Sequence, residues 1–356
     1  MLSLFTGMQY TCSRILCLLL FFQCPLARAS RYSTNQNSSM IGKEAISKKR
    51  KSFRSPKPRR SGAHDKDSSF RDMRQGRLVG LNETHVKVLR NANEKSKKES
   101  KYVLDQLLKK INQIGYSQED LNQVLLLVRK KAVITINFVP QKEYTNRSGE
   151  TLSVLESFLN DPMYRNQYET KISHGELHLA YGGKRDSWEL KNFDGIYQEN
   201  GLIPEERPRY GTLHFDEAQT IVDSVPFGNC YFVLKPSVVD RSTYTATDSA
   251  AADSSRVGTI GHMGGVLNEL HDSGLKVLMD HLLGRAKARE SMGFMEAQIH
   301  GPVDLRKDVD ALVADEEYRG TKTEDVLRTL VKKYGLALKW RSWNGGNVYL
   351  HEDKKI

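Results

Sequence analysis

The chain has 356 residues, 38% of them hydrophobic, and 54 Lys/Arg against 43 Asp/Glu give it a formal net charge of +11. That length supports one large domain or two small ones. The charge is not spread evenly. Residues 1–80 carry a net of +12, which leaves −1 for residues 81–356 and removes any general argument for an anionic partner of the folded part.

The N-terminus runs from a weakly cationic region ending at Arg14, through the apolar stretch ILCLLLFFQCPL, to Ala27-Arg28-Ala29. This is the three-part pattern of a secretory signal peptide, so residues 1–29 are read as a leader and the protein as secreted. The apolar run is too short to span a bilayer comfortably, and no stable membrane span is expected after cleavage. A mitochondrial transit peptide is the alternative, because no acidic residue precedes Glu44, but the continuous apolar run differs from the amphipathic pattern of such peptides. Cys12, Cys17 and Cys24 fall in the leader, leaving Cys230 alone in the mature chain and excluding an intramolecular disulfide. Sequons at Asn37, Asn82 and Asn146 are compatible with a lumenal route.

Residues 30–97 are expected to form a disordered basic arm, because their Ser-, Lys- and Arg-rich composition buries too little apolar area to offset the entropy of ordering. Residues 31–80 hold 14 Lys/Arg against 4 Asp/Glu. Within them Lys48 to Arg60 has the form of a nuclear-import or polyanion-binding cluster, with nucleic acid or an acidic surface as its partner. It also offers dibasic processing sites, and a solvated linker fits equally well.

Folded sequence is expected from about residue 98. A helical hairpin over 98–132 follows from Leu104, Leu107, Leu108, Ile111 and Ile114 before Gly115, then Ser117 and Asp120 as a capping box for a helix through Leu121, Val124, Leu125 and Val128. Residues 133–356 then form an α+β domain. VITINFV reads as a strand ended by Pro140, and LSVLESFL as a helix ended at Asp161-Pro162. Further strands are expected at YETKIS, ELHLAY, YGTLHF, CYFVLK, STYTAT and FMEAQI, with LALKWRSW and NVYLH flanking the hairpin turn Asn344-Gly345-Gly346-Asn347. Helices are expected at VLNELHDSGLKVLMDHLL, LRKDVDALVAD and TEDVLRTLVKKYG, the last with Thr321 and Glu324 as a capping box. Clustered strands without βαβ alternation favour a mixed, mostly antiparallel sheet with flanking helices.

No zinc pattern is present, since the histidines are scattered and His174 and His178 sit in strand-like sequence. There is no P-loop, nucleophile elbow or dinucleotide fingerprint. What remains is FMEAQIHGP, where strand alternation places Glu296, Gln298 and His300 on one face and Met295, Ala297 and Ile299 on the other. A carboxylate beside a carboxamide can bind sugar hydroxyls and stabilise positive charge at an anomeric carbon. A one-sided strand with a wet outer face has the same spacing. In ERPRYGTLHF, Arg207 and Arg209 could clamp a diphosphate where Gly211 admits close backbone approach, or could form a solvated turn. DRSTYTATDS offers the hydroxyls of Ser242, Thr243, Tyr244, Thr245 and Thr247, which ordinary strands also contain.

Taken in order, QYETKIS, RPRYGTL, FGNCYFVLKP, RSTYTATDS and EAQIHGPVDLRKDVDAL resemble a mostly bacterial uncharacterised family, the domain of unknown function 3626, over roughly residues 100–345. That family in turn is similar to ADP-ribosyltransferases, whose split, twisted sheets hold NAD as a substrate. The resemblance implies an ADP-ribosyltransferase-like fold with Glu296 on the nicotinamide ribose, stabilising an oxocarbenium-like transition state, and with Gln298 and His300 beside it. It further implies Thr170 and Lys171 on an early strand meeting NAD, Arg209, Tyr210 and Gly211 at the diphosphate or the nicotinamide ring, and Ser242 and Thr243 in a middle polar motif. Two features depart from the arginine-directed transferases. There the catalytic Glu follows a Glu or Gln two residues earlier, whereas here Glu296 comes first, and Lys171 is the only cation in YETKIS. The expected activity is cleavage of the nicotinamide glycosidic bond of NAD, with ADP-ribose passing to an unknown protein acceptor or to water. The alternatives are a non-enzymatic interaction protein working through the basic arm, and an NAD-independent hydrolase using Glu296 with His300 as acid and base.

Overall fold

The computed structural model describes residues 80–145, 148–171, 180–201, 203–215, 227–252, 256–286, 292–344 and 347–353. The leader, most of the basic arm, the sequons at Asn37 and Asn146, His174, His178 and most of ELHLAY lie outside the described residues.

Helix α1 spans Glu83–Gln113 and begins well ahead of the boundary expected at residue 98. Asn82 caps it: its side chain accepts from the His85 N–H, and the His85 ring accepts from the Asn82 N–H, a task usually given to Glu or Gln. His85, Val88, Leu89, Ala92 and Ser96 form a buried stripe among Lys, Asn and Glu, and the few small apolar residues hide the helix in a polar composition. Further along, Val103, Leu107 and Ile111 are buried, whereas Leu104, expected in the core, is exposed. Helix α2, Gln118–Lys131, has the capping box anticipated at Ser117 and Asp120.

Strand β1 is Val133–Phe138, and a small hairpin of β2 (Glu143–Thr145) and β3 (Thr151–Ser153) leads into α3, Val154–Asn160. After β4, Met163–Tyr164, the described part of YETKIS, expected as a strand, forms instead the short helix α4, Gln167–Thr170, closed by Lys171, while residues 172 and 173 lie outside the described residues. Asn166 overrides the β-like composition there by accepting from both the Tyr168 and Glu169 N–H groups. Helix α5 is Lys184–Asn192 and β5 is Arg209–His214. Then come β6 (Cys230–Leu234), α6 (Pro236–Val239), β7 (Ser242–Thr245) and β8 (Gly258–Thr259).

The helix expected over VLNELHDSGLKVLMDHLL is two, α7 (Gly264–Glu269) and α8 (Asp272–Leu282), because His271 is extended and starts the second one by accepting from the Ser273 N–H. Next are β9 (Glu296–Ile299), β10 (Val303–Asp304) and α9 (Leu305–Asp308). LRKDVDALVAD is helical only over α9, and Val309–Asp315 is strand β11. This interior strand buries Val309, Ala311, Leu312, Val313 and Ala314 on both faces, which erases the period of two by which strands are recognised. Helix α10, Lys322–Tyr334, starts after Thr321 as expected but without a Thr321 side-chain cap: the Thr321 hydroxyl donates to the Tyr318 carbonyl, the Glu324 N–H goes to the Thr321 carbonyl, and the Glu324 carboxylate accepts from the Gly320 N–H. The last two strands, β12 (Ala337–Asn344) and β13 (Asn347–Glu352), pair across Asn344 and Asn347 as the hairpin signal required.

Among the described residues these strands form a nine-stranded sheet in the order β13-β12-β11-β6-β1-β5-β9-β7-β8, in which only β11 and β12 run parallel. The fold is therefore α+β with a mixed, mostly antiparallel sheet. One face buries a core shared by the helices and the strands, including Leu107, Val124, Ile134, Phe232, Leu278 and Leu327. No described helix is long and apolar enough to cross a membrane.

A parting of the sheet positions the site. Strand β1 pairs with β5 only through Val133–Thr135 and Thr212–His214. Beyond that point Ile136–Phe138 continue along β6, while Arg209–Gly211 continue along β9. The two strands diverge from Gly211, where an added Cβ would stand 2.5 Å from the Thr135 carbonyl oxygen, closer than real contacts allow.

Candidate active site

A cavity of about 290 Å³ opens where β1 and β5 part. Asn137 and Phe138 line one side, Tyr210, Gly211 and Thr212 the other, and Glu296 lies on its wall. Trp188, Tyr144, Phe227 and Phe294 add aromatic surface. Phe227 and Phe294 pack 5.1 Å apart, centroid to centroid.

Strand β9 has the alternation anticipated from the sequence. Met295, Ala297 and Ile299 enter the hydrophobic core, and Glu296, Gln298 and His300 share the opposite face. That face is not wet. Glu296 is 7% exposed, Gln298 1% and His300 0%. Glu296 sits opposite Thr212 of β5 and Thr245 of β7, and Gln298 opposite Tyr210 and Thr243, so the polar groups of three strands meet on one surface.

Their hydrogen bonds form a chain with a direction. The amide of Gln298 donates from Nε2 to Glu296 Oε1 at 3.0 Å and to Thr245 Oγ1 at 3.0 Å, and Thr245 passes its own proton to the Thr247 carbonyl. Thr243 donates to Gln298 Oε1 at 2.9 Å and also lies 3.0 Å from His300 Nε2. A threonine hydroxyl has one proton, so His300 Nε2 must be the donor to Thr243, and His300 Nδ1 then accepts from the Tyr197 hydroxyl at 2.6 Å. Every bond from Tyr197 through His300, Thr243 and Gln298 therefore points toward Glu296, an arrangement in which successive dipoles reinforce one another. Burial, with the nearby His85 and Arg241 charges, pushes the His300 pKa well below its ordinary value and keeps the ring neutral, as this tautomer requires.

Burial is also the main influence on Glu296, raising its carboxyl to about 7 against the hydrogen bonds from Gln298 and Ser249, while the Asp248 carboxylate adds to the rise and the Arg185 charge opposes it. A group so placed changes charge near neutrality.

The second wall is built on buried ions. Arg207, fully buried, holds Glu189 at 2.7 Å and Asp186 at 2.7 Å. Burial works against the Arg207 charge, but the two carboxylates outweigh it and raise its pKa above the ordinary value. The other oxygen of Glu189 accepts from the Tyr210 hydroxyl at 2.7 Å, which fixes that ring in the cavity wall. Above the ring, 4.6 Å from its centroid, stands the guanidinium of Arg185, with the Trp188 ring 5.6 Å away. Arg185 is 6% exposed, lines the cavity, and makes no hydrogen bond or ion pair among the described residues. Leaving a buried charged donor unpaired costs about 1–3 kcal/mol or more.

The remaining residues singled out from the sequence fall into three groups. Thr170, Tyr210 and Gly211 line the cavity with Glu296. Arg209 also lines it, but its guanidinium is already engaged by the carbonyls of Tyr164, Glu205, Arg207 and Gly301 and by Glu169, so it has little left to clamp a diphosphate. Lys171, Ser242, Thr243, Gln298 and His300 are not part of the cavity wall. Lys171 is exposed at φ 60°, closing α4; the Ser242 hydroxyl donates to the Val238 carbonyl; the other three form the supporting chain. Sequence reasoning passed over Arg185, Trp188, Glu189 and Tyr197. Trp188 is one of three tryptophans in the chain, and that rarity was the one available signal in an otherwise polar KRDSWELKN.

No curated protein matches the chain. A family model described as Protein of unknown function (DUF3626) matches residues 134–291 and 266–350, a span that holds the parted strands, the supporting chain and Glu296. The chain belongs to that family.

Proposed function

We propose that the cavity binds NAD as a substrate and that Glu296 assists departure of nicotinamide, with ADP-ribose passing to a protein acceptor or to water. The observation that carries this reading is the buried carboxylate of Glu296 on a concave wall shared with Tyr210 and Thr212, held by the Gln298 amide. In the proposed step the bond between the nicotinamide ring nitrogen and the ribose anomeric carbon breaks, and its electron pair leaves with nicotinamide. Ionised Glu296 stabilises the positive charge left on the sugar. A water or acceptor nucleophile then bonds to the anomeric carbon and gives its proton to Glu296, whose pKa of about 7 suits a base working near neutrality. The aromatic wall offers flat surface to the nicotinamide ring. Gln298 and His300 act here as positioning residues, since neither faces the cavity. Secretion through the N-terminal leader belongs to the same proposal, and terminal sequencing of the mature protein tests it.

The test is release of free nicotinamide from NAD by the full chain. Glu296→Gln is expected to abolish release while the protein keeps its fold by circular dichroism. Release at the wild-type rate in that variant, or none from the wild type, defeats the proposal.

A further inference from the structure

We propose that Arg185 seats a phosphate-class anion and that the diphosphate of a dinucleotide is the ligand it takes. The choice of dinucleotide rests on the NAD reading, whereas the anion site rests on geometry alone. Arg185 is a cation more than nine-tenths buried, lining the cavity, with no acceptor among the described residues. Its contacts are the rings of Tyr210 and Trp188. Rings stabilise the charge of a guanidinium but do not take up its in-plane N–H donors, and that planar fork matches the oxygens of a phosphate.

The other arginines around the cavity are occupied. Arg165 is paired with Asp161 and Glu169, Arg209 with Glu169 and four carbonyls, and Arg207 with Asp186 and Glu189. Lys142 is the second cation of the wall with no ion pair among the described residues. Two uncommitted cations suit a ligand with two negative charges better than a single carboxylate. The acids left on the wall are Asp248 and Glu296, and Glu296 is occupied by the Gln298 amide. Tyr210 ties the proposed seat to the reaction proposed above, because it carries Arg185 on its ring and lies directly across from Gln298 on β9.

The experiment is calorimetric titration of the full chain with inorganic pyrophosphate, ADP-ribose and, as a carboxylate control, succinate. Wild type is expected to bind pyrophosphate and ADP-ribose but not succinate. Arg185→Gln should weaken both by about tenfold or more, the range of a charge-assisted hydrogen bond, and Arg185→Lys, which keeps the charge and loses the fork, should fall between. If Arg185→Gln does not fold by thermal melt, the comparison of Arg185→Lys with wild type carries the test. Unchanged affinity in the variant that folds, no binding of pyrophosphate by wild type at millimolar concentration, or equal binding of succinate overturns the inference. Arg185-dependent pyrophosphate binding without nicotinamide release would retain this site and remove the proposed reaction. Nicotinamide release that survives Arg185→Gln unchanged would do the opposite.

Discussion

Replacing Glu296 with Gln should make the protein more stable, and only at higher pH. The folded protein holds the Glu296 proton up to about pH 7, against an ordinary value of 4.5. Between those values the folded state binds more protons than the unfolded chain, so stability falls as pH rises. Below about pH 4.5 the penalty is absent, and above about pH 7 it is complete. At about 1.4 kcal/mol for each tenfold change in proton affinity, the gap amounts to about 3 kcal/mol. Glutamine has nearly the same shape, and its Oε1 can still accept from the Gln298 amide, so the substitution removes the buried charge without opening a cavity. Urea unfolding of both proteins at pH 4.5 and pH 8.5 reads the difference: little or none at the lower pH and about 3 kcal/mol in favour of Glu296→Gln at the higher. Equal stabilities at pH 8.5, or a variant less stable at both values, would falsify the account of Glu296 as a buried acid kept charged for function. A gain in stability accompanied by loss of activity is the trade expected at a functional site.

Three further outcomes follow from the same geometry. The kcat/KM for nicotinamide release should rise with pH through about 7 as Glu296 ionises, and a profile flat from pH 5 to 9 would separate that group from the rate. Thr243→Val should strand the His300 Nε2–H and the Gln298 carbonyl oxygen at a cost of about 2–4 kcal/mol by denaturant unfolding. It should also move the pH midpoint of activity upward, because a loosened Gln298 no longer favours the charged form of Glu296. Gly211→Ala should destabilise by about 1–3 kcal/mol or more, since the new methyl meets the backbone carbonyl of Thr135 rather than a side chain that could turn aside; a neutral result there would mean the strands can part further at little cost.

Strand β9 was legible before any coordinates because alternation depends only on the backbone. Met295, Ala297 and Ile299 entering the core, with Glu296, Gln298 and His300 opposite, repeats the order of the residues along the chain. The cap at Ser117 and the hairpin at Asn344 were legible for the same reason, since each is a contact between near neighbours. Strand β11 and the first turns of α1 were not. Burial on both faces removed the period from the one, and an imidazole replaced the usual Glu or Gln in the cap of the other.

The division of labour within the site has the same origin. Local order could nominate Glu296, but nothing in EAQIH distinguishes the carboxylate on the cavity wall from the amide and imidazole that support it, because all three have the same spacing. That distinction comes from Tyr197 and Thr243, 103 and 57 residues away from His300 in sequence, whose hydroxyls occupy the two ring nitrogens. Arg209 is the reasonable choice for an anion by sequence, but five acceptors from three stretches of chain, 164–169, 205–207 and Gly301, take up its donors, and Arg185 becomes conspicuous only when packing gives it two rings and no oxygen. Periodicity and capping are written in short stretches of chain. Which polar group keeps a free valence for a ligand depends on which distant groups have already satisfied its neighbours, and that is decided only when the sheet closes and then parts at Thr135 and Thr212.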